Sequence, residues 1–189
     1  VDATLGAESL RKSLTAGIAG LLLVLLFMVL YYRVAGFIAA FSLILYTAIV
    51  LTLFKLIPVT LTLAGLAGFI LSIGMAVDAN ILIFERTKEE LRLGRTLLSS
   101  INIGFNRAWT AIRDASISTL ITSVVLIWFG QRLGATTLAG VGTTLSIGVL
   151  VSLFTSVFVS KVLLQIISST FLGKWKSLFS PENITTSRG

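Results

Sequence analysis

The sequence predicts an all-α membrane protein, a bundle of five transmembrane helices with one interfacial helix on the cytoplasmic side. Three observations carry that expectation. Hydrophobic residues make up 56% of the 189-residue chain and charged residues only 12%, a balance that a solvated globule does not sustain. The charges fall between apolar runs long enough to cross about 30 Å of hydrocarbon at 1.5 Å per residue. None of the runs alternates with a period of two. Open backbone finds no partner in lipid, so the runs read as helices rather than strands of a barrel.

The runs follow in order after a polar stub, residues 1–13. The first span, 14–32, lies between Lys12 and Arg33, and the second, 35–54, between Arg33 and Lys55, which forces a tight turn at Tyr32-Arg33-Val34. The third, 60–84, holds Asp78 as its one ionisable residue. Residues 85–95 are densely charged, with Arg86 and Glu90 four apart and Glu89 and Arg92 three apart. That spacing supports a solvated continuation of the third helix, ended by Gly94. From 97 to 112, Leu98, Ile101, Phe105, Ala108 and Ile112 share one face, opposite Ser99, Asn102, Asn106, Thr110 and Arg113. Such a stripe predicts a helix lying on the inner leaflet. The fourth span, 115–131, is the shortest and most polar, and the fifth, 138–160, has enough apolar sequence before it to begin as a tilted or re-entrant segment. Residues 14–167 thus form the membrane domain and 168–189 a cytoplasmic tail, expected to be partly disordered from its polar end.

Basic residues crowd one side if the first span runs from outside to inside. Arg33, Arg86, Lys88, Arg92, Arg95, Arg107, Arg113, Lys161, Lys174, Lys176 and Arg188 then face the cytoplasm, and Arg11, Lys12, Lys55 and Arg132 the exterior. The net charge of +7 is therefore a topology signal and an attraction to anionic lipid, not a nucleic-acid footprint. The chain opens at Val1 without the basic start and cleavage site of a secretory signal, and is expected to be a piece of something longer. With no cysteine and no histidine, disulfides, thiol nucleophiles, Cys/His metal sites and imidazole relays are excluded. No nucleophile–base pair or phosphate-cradling loop is visible, so neither an enzyme nor a bound cofactor or metal is expected.

Asp78 is the leading functional candidate. An aspartate at membrane depth costs roughly 2.5–3.5 kcal/mol on insertion scales, and chains that keep one use it for ions, protons or a partner's charge. The alternative is a carboxylate that only pins helices together. Gly74 lies one turn before it, and Gly65 and Gly68 extend that low bulk along the third span, which predicts a close helix neighbour and an interface position for the acid. Asn80 adjoins Asp78 in sequence but points elsewhere around the helix. In the fifth span Gly140, Thr144, Gly148 and Ser152 recur every fourth residue, a pattern for close packing, read either as a sliding surface or as a static one. In the fourth span, Ser116, Thr119 and Ser123 share one face and Ser118 and Thr122 another. Their hydroxyls have two possible partners, the Asp78 carboxylate or the carbonyls of their own helix.

Several motifs in order then resemble one family. The run Leu61-Thr62-Leu63-Ala64-Gly65-Leu66-Ala67-Gly68, followed by Gly74-Met75-Ala76-Val77-Asp78-Ala79-Asn80 and Phe84-Glu85-Arg86-Thr87-Lys88-Glu89-Glu90-Leu91-Arg92, closely resembles the SecD/SecF family of the resistance-nodulation-division superfamily, in its SecD branch. The likeness continues through Gly104-Phe105-Asn106-Arg107-Ala108, Ile112-Arg113-Asp114-Ala115 and Ser152-Leu153-Phe154-Thr155. The resemblance implies a multi-pass protein of the bacterial cytoplasmic membrane that works with SecF beside a SecY-type translocon, using the proton-motive force to promote export of secreted polypeptides. It implies that the five spans are the last five of a six-helix half, with residues 1–13 the end of an extracytoplasmic domain. It also implies a proton-coupling role for Asp78, with Gly74, Asn80, Asp114, Ser116, Thr119 and Thr122 as supporting candidates. Two departures stand out: Ser116-Ile117-Ser118-Thr119 replaces the family's amide and threonine pair, and Gly140-Val141-Gly142 its Gly-Phe-Ala. A non-cycling assembly subunit and a small-molecule exporter of the same superfamily are the competing readings.

Overall fold

The computed structural model describes residues 3–57, 62–160 and 162. These form helices throughout: α1 (Ala3–Tyr32), α2 (Val34–Leu56), α3 (Leu63–Arg92), α4 (Leu97–Arg132) and α5 (Thr136–Phe154), the last widening into a π-helical segment at Thr155–Ser160. All five helices are long and apolar enough to cross a bilayer. The tail 168–189, with Lys174, Lys176 and Arg188, lies outside the described residues, as does Lys161.

Two expectations change. The interfacial helix 97–112 and the span 115–131 are one continuous helix of 36 residues. The junction holds no glycine or proline, and Arg113 and Asp114 satisfy each other on the exposed side (Nε–Oδ1 3.0 Å), so nothing there interrupts the backbone ladder. The stretch before the fifth span is not a re-entrant segment but a short turn through Gly134 (φ +64°), after which α5 starts at Thr136. The helix at the start of the chain is also longer than the apolar run, taking in most of the polar stub.

The turns follow from local chemistry. Thr62 caps α3, its hydroxyl accepting the Gly65 amide at 3.0 Å. Gly94 at φ +80° closes α3 as its position predicts. Between α1 and α2 the single residue Arg33 turns the chain at φ 50°, a left-handed conformation unusual for an arginine. A side chain at Gly36 would collide with the Met28 carbonyl, so glycine is what lets the two helices fold back so closely.

Helix α3 is the centre of the bundle, packed against α4 and α5, while α2 joins the α3–α5 pair and α1 leans mainly on α2. The small-every-four ladder of α5 does what its spacing predicts. Thr144, Gly148 and Ser152 are buried, and a Cβ built on Gly68 would stand 2.5 Å from the Thr144 hydroxyl. Gly65 likewise rests on Thr144, and Gly140 comes near the Thr62 hydroxyl. Glycines 65, 68, 140 and 148 thus bring α3 and α5 almost to backbone contact.

Candidate functional site

Asp78 stands at the mouth of a cleft of about 160 Å³ between α3 and α4, closed at the back by Val149 and Ser152 of α5. Met75, Ala79 and Leu82 supply the α3 wall, and Ala111, Ile112, Ala115, Ser116 and Thr119 the α4 wall. The aspartate is exposed on the surface of this chain, not enclosed in a helix interface as the flanking glycines suggested. The reason is geometric: the Gly65–Gly68 stripe faces α5, on another side of α3 from Asp78, and a Cβ on Gly74 would meet nothing within 4 Å. Close packing therefore occurs beside the acid rather than over it.

No described residue hydrogen-bonds or ion-pairs with the Asp78 carboxylate. Three hydroxyls of α4, one of them in the cleft, are bonded to their own helix. Thr119 Oγ1 donates to the Ala115 carbonyl at 3.0 Å and lies 3.8 Å from Met75 Sδ across the cleft. Thr122 and Ser123 donate to the carbonyls of Ser118 and Thr119, at 3.0 and 2.8 Å. For Thr119, Thr122 and Ser123 the structure selects the carbonyls of their own helix over the Asp78 carboxylate.

The remaining candidates separate. Ser116, Thr119 and Ser152 share the cleft with Asp78. Asn80 is buried on another face of α3, and Thr122 is exposed away from the cleft. Asp114 lies on the surface paired with Arg113 (2.9 Å). Among the described residues no group of three acids, histidines or cysteines is arranged to hold a metal.

Toward the charged end of α3 the structure reveals a residue that sequence reasoning misjudged. Glu90 was expected on a solvated face paired with Arg86, yet its side chain is only 3% exposed. Arg107 of α4 reaches Glu90 Oε1 at 2.6 Å, and Arg95 of the α3–α4 turn lies 2.9 Å from Oε2, an atom that receives no well-aligned hydrogen bond. Arg86 pairs instead with Glu89 at 2.8 Å. A signal for this was present: Ile83, Thr87, Glu90 and Leu91 continue the buried face of α3 at three- and four-residue spacing into the charged stretch.

Five helices, each long and apolar enough to cross a bilayer, with an acid at a cleft between two of them, define a multi-pass membrane protein. The family model for the C-terminal region of the protein export membrane proteins SecD and SecF matches residues 1–170. The chain belongs to the SecD/SecF family. It is 59% identical over 169 residues to a protein translocase subunit SecD of Thermobaculum terrenum, covering 89% of this chain and 33% of that protein. To the SecD subunit of Synechocystis it is 56% identical, over 88% of this chain and 34% of that one. The chain thus spans about a third of the length of these relatives. The fold matches the crystal structure of SecDF, a translocon-associated membrane protein from Thermus thermophilus, with TM-score 0.82 and 34% identity over 88% of this chain and 23% of that one.

Proposed function

We propose that this chain is the membrane portion of a SecD-type export subunit and that Asp78 couples proton movement to rearrangement of α3 against α4. The reading places it in the bacterial cytoplasmic membrane with a SecF-type partner beside a SecY-type translocon, acting in the complete protein on secreted polypeptides. One observation carries the mechanism: a carboxylate within an apolar helix, free of hydrogen bonds and ion pairs among the described residues, opens on a cleft whose other wall belongs to a different helix.

The two protonation states ask different things of that cleft. An ionised carboxylate in an apolar setting needs donors or a cation. The Ser116, Thr119 and Ser152 hydroxyls are the donors within the cleft, and rotating the α4 pair, Ser116 and Thr119, toward Asp78 draws α4 onto α3. A protonated carboxyl needs much less, so Thr119 returns to the Ala115 carbonyl and the cleft relaxes. Each proton moved down the potential supplies about 2.3 kcal/mol per 100 mV, comparable with exchanging one or two such hydrogen bonds. The cleft beside Asp78 opens between α3 and α4, so the motion is assigned to that side.

Asp78→Asn in the complete protein tests this. The amide cannot cycle a proton, so the gradient-dependent part of export is expected to vanish in membrane vesicles while the complex is recovered in normal amount. Full gradient-dependent export overturns the coupling role. Loss of complex recovery instead makes Asp78 a docking charge, in accord with its exposure on this chain.

A further inference from the structure

Twelve residues along α3 from Asp78, a buried glutamate offers a role that Asp78 alone does not fill. We propose that Glu90, clasped by Arg107 and Arg95, is a positioning residue that fixes the crossing of α3 and α4 and thereby sets the opening of the cleft at Asp78. The proposal rests on the reading of Asp78 as the coupling group.

The crossing of α3 and α4 is a point of backbone contact with packed side chains on one side and charges on the other. A Cβ on Gly104 would stand 2.6 Å from the Thr87 backbone nitrogen, so the two helices touch there at the backbone. Above that point Ile83 and Ala108 are fully buried, and Ile112 nearly so. Those buried side chains hold the crossing on the Asp78 side of the backbone contact, and a charged clasp on its other side, at the α3–α4 turn, fixes the angle there. Glu90 supplies it from α3, Arg107 from α4 and Arg95 from the connecting turn. Arg107 also lies 3.9 Å from Glu89, which Arg86 holds in turn, so its guanidinium is fixed on two sides. Charge-assisted pairs of this kind are directional, unlike the apolar contacts around them.

Leverage connects the clasp to the acid. From Thr87 to Asp78 is about 13 Å along α3 and from Gly104 to Ser116 about 18 Å along α4, at 1.5 Å per residue. Tilting α4 by a few degrees at the crossing therefore moves the far wall of the cleft by on the order of 1 Å, enough to make or break a hydroxyl contact with the carboxylate.

Cysteine cross-linking across the cleft tests the clasp, since this chain contains no cysteine of its own. In the complete protein assembled in membranes, with cysteines elsewhere replaced, Met75→Cys and Thr119→Cys are paired and the rate of disulfide formation is measured. Breaking the clasp with Glu90→Gln or Arg107→Ala is expected to change that rate by roughly 2- to 30-fold, the range of long-range coupling effects. Arg107→Lys, which keeps the charge and loses the forked geometry, is expected to fall between. A clasp that serves stability alone would lower the amount of folded protein and leave the rate in the surviving complex unchanged, and that result overturns the proposal. Should Arg107→Ala fail to accumulate, Arg107→Lys is read by the same rate with the same two meanings. Asp78→Asn export run in parallel separates the two proposals: gradient-driven export in that variant defeats proton coupling, whereas wild-type cross-linking in Glu90→Gln and Arg107→Lys defeats the clasp.

Discussion

Tyr46 shows what one hydroxyl does inside this bundle. Its oxygen lies 2.7 Å from Ser72 Oγ, and Ser72 donates its own proton to the Phe69 carbonyl at 2.7 Å. The tyrosine is therefore the donor in the pair, and the two substitutions that break it are unequal. In Tyr46→Phe, Ser72 keeps its carbonyl, so only a net hydrogen bond of about 0.5–1.5 kcal/mol is lost. In Ser72→Ala the buried phenol loses its acceptor, at about 1–3 kcal/mol. Thermal unfolding in detergent should place Ser72→Ala below Tyr46→Phe, and the reverse order would remove the assigned direction of donation. Neither residue was legible from the sequence, because a tyrosine and a serine 26 positions apart in apolar runs carry no mark of their pairing. Asp78 was legible for the opposite reason: one acid in an apolar run stands out without any knowledge of its neighbours. Its environment was not, since which side of a helix a neighbour covers is decided by packing.

Between helices, the small residues of α5 and α3 set the strongest local constraint. A Cβ on Gly148 would overlap Ser72 and stand 2.9 Å from the Tyr46 hydroxyl, whereas one on Gly74 would meet open space. Gly148→Ala is expected to destabilise the bundle by about 1–3 kcal/mol through overpacking. Gly74→Ala in this chain should be neutral or stabilising by up to about 1 kcal/mol, the helix-propensity gain of alanine over glycine. Unfolding of the two variants side by side measures the contrast, and equal effects would mean that α3 and α5 do not meet as described. The spacing of Gly140, Thr144, Gly148 and Ser152 made this interface readable, because a period of four on a helix can only be a face. Continuity of α4 was harder to read. Hydrophobic periodicity and charge divide residues 97–132 into two stretches, but what breaks a helix is backbone chemistry, and Arg113-Asp114 offers none.

At the level of the whole molecule, the helices fix which ends lie together. Leu93 in the α3–α4 turn is 70% exposed beside the Glu90 clasp and its arginines, and Leu133 after α4 is 71% exposed beside Arg132, which covers the Trp128 ring at 5.7 Å. Because α4 is one helix of 36 residues, about 54 Å at 1.5 Å per residue, these turns lie on opposite sides of a hydrocarbon layer about 30 Å thick. About 20 of the 36 residues cover that layer, so the remaining turns, 97–112, can stand at its edge within the same helix, and an interfacial location for them does not require a separate one. The basic residues Arg86, Lys88, Arg92, Arg95, Arg107 and Arg113 all gather at the Leu93 end, and the positive-inside rule assigns that end to the cytoplasm. Leu133→Cys should therefore react with a membrane-impermeant maleimide in intact cells, and Leu93→Cys only after the membrane is opened. Labelling of Leu93→Cys in intact cells would invert the bundle and place the Glu90 clasp on the exterior.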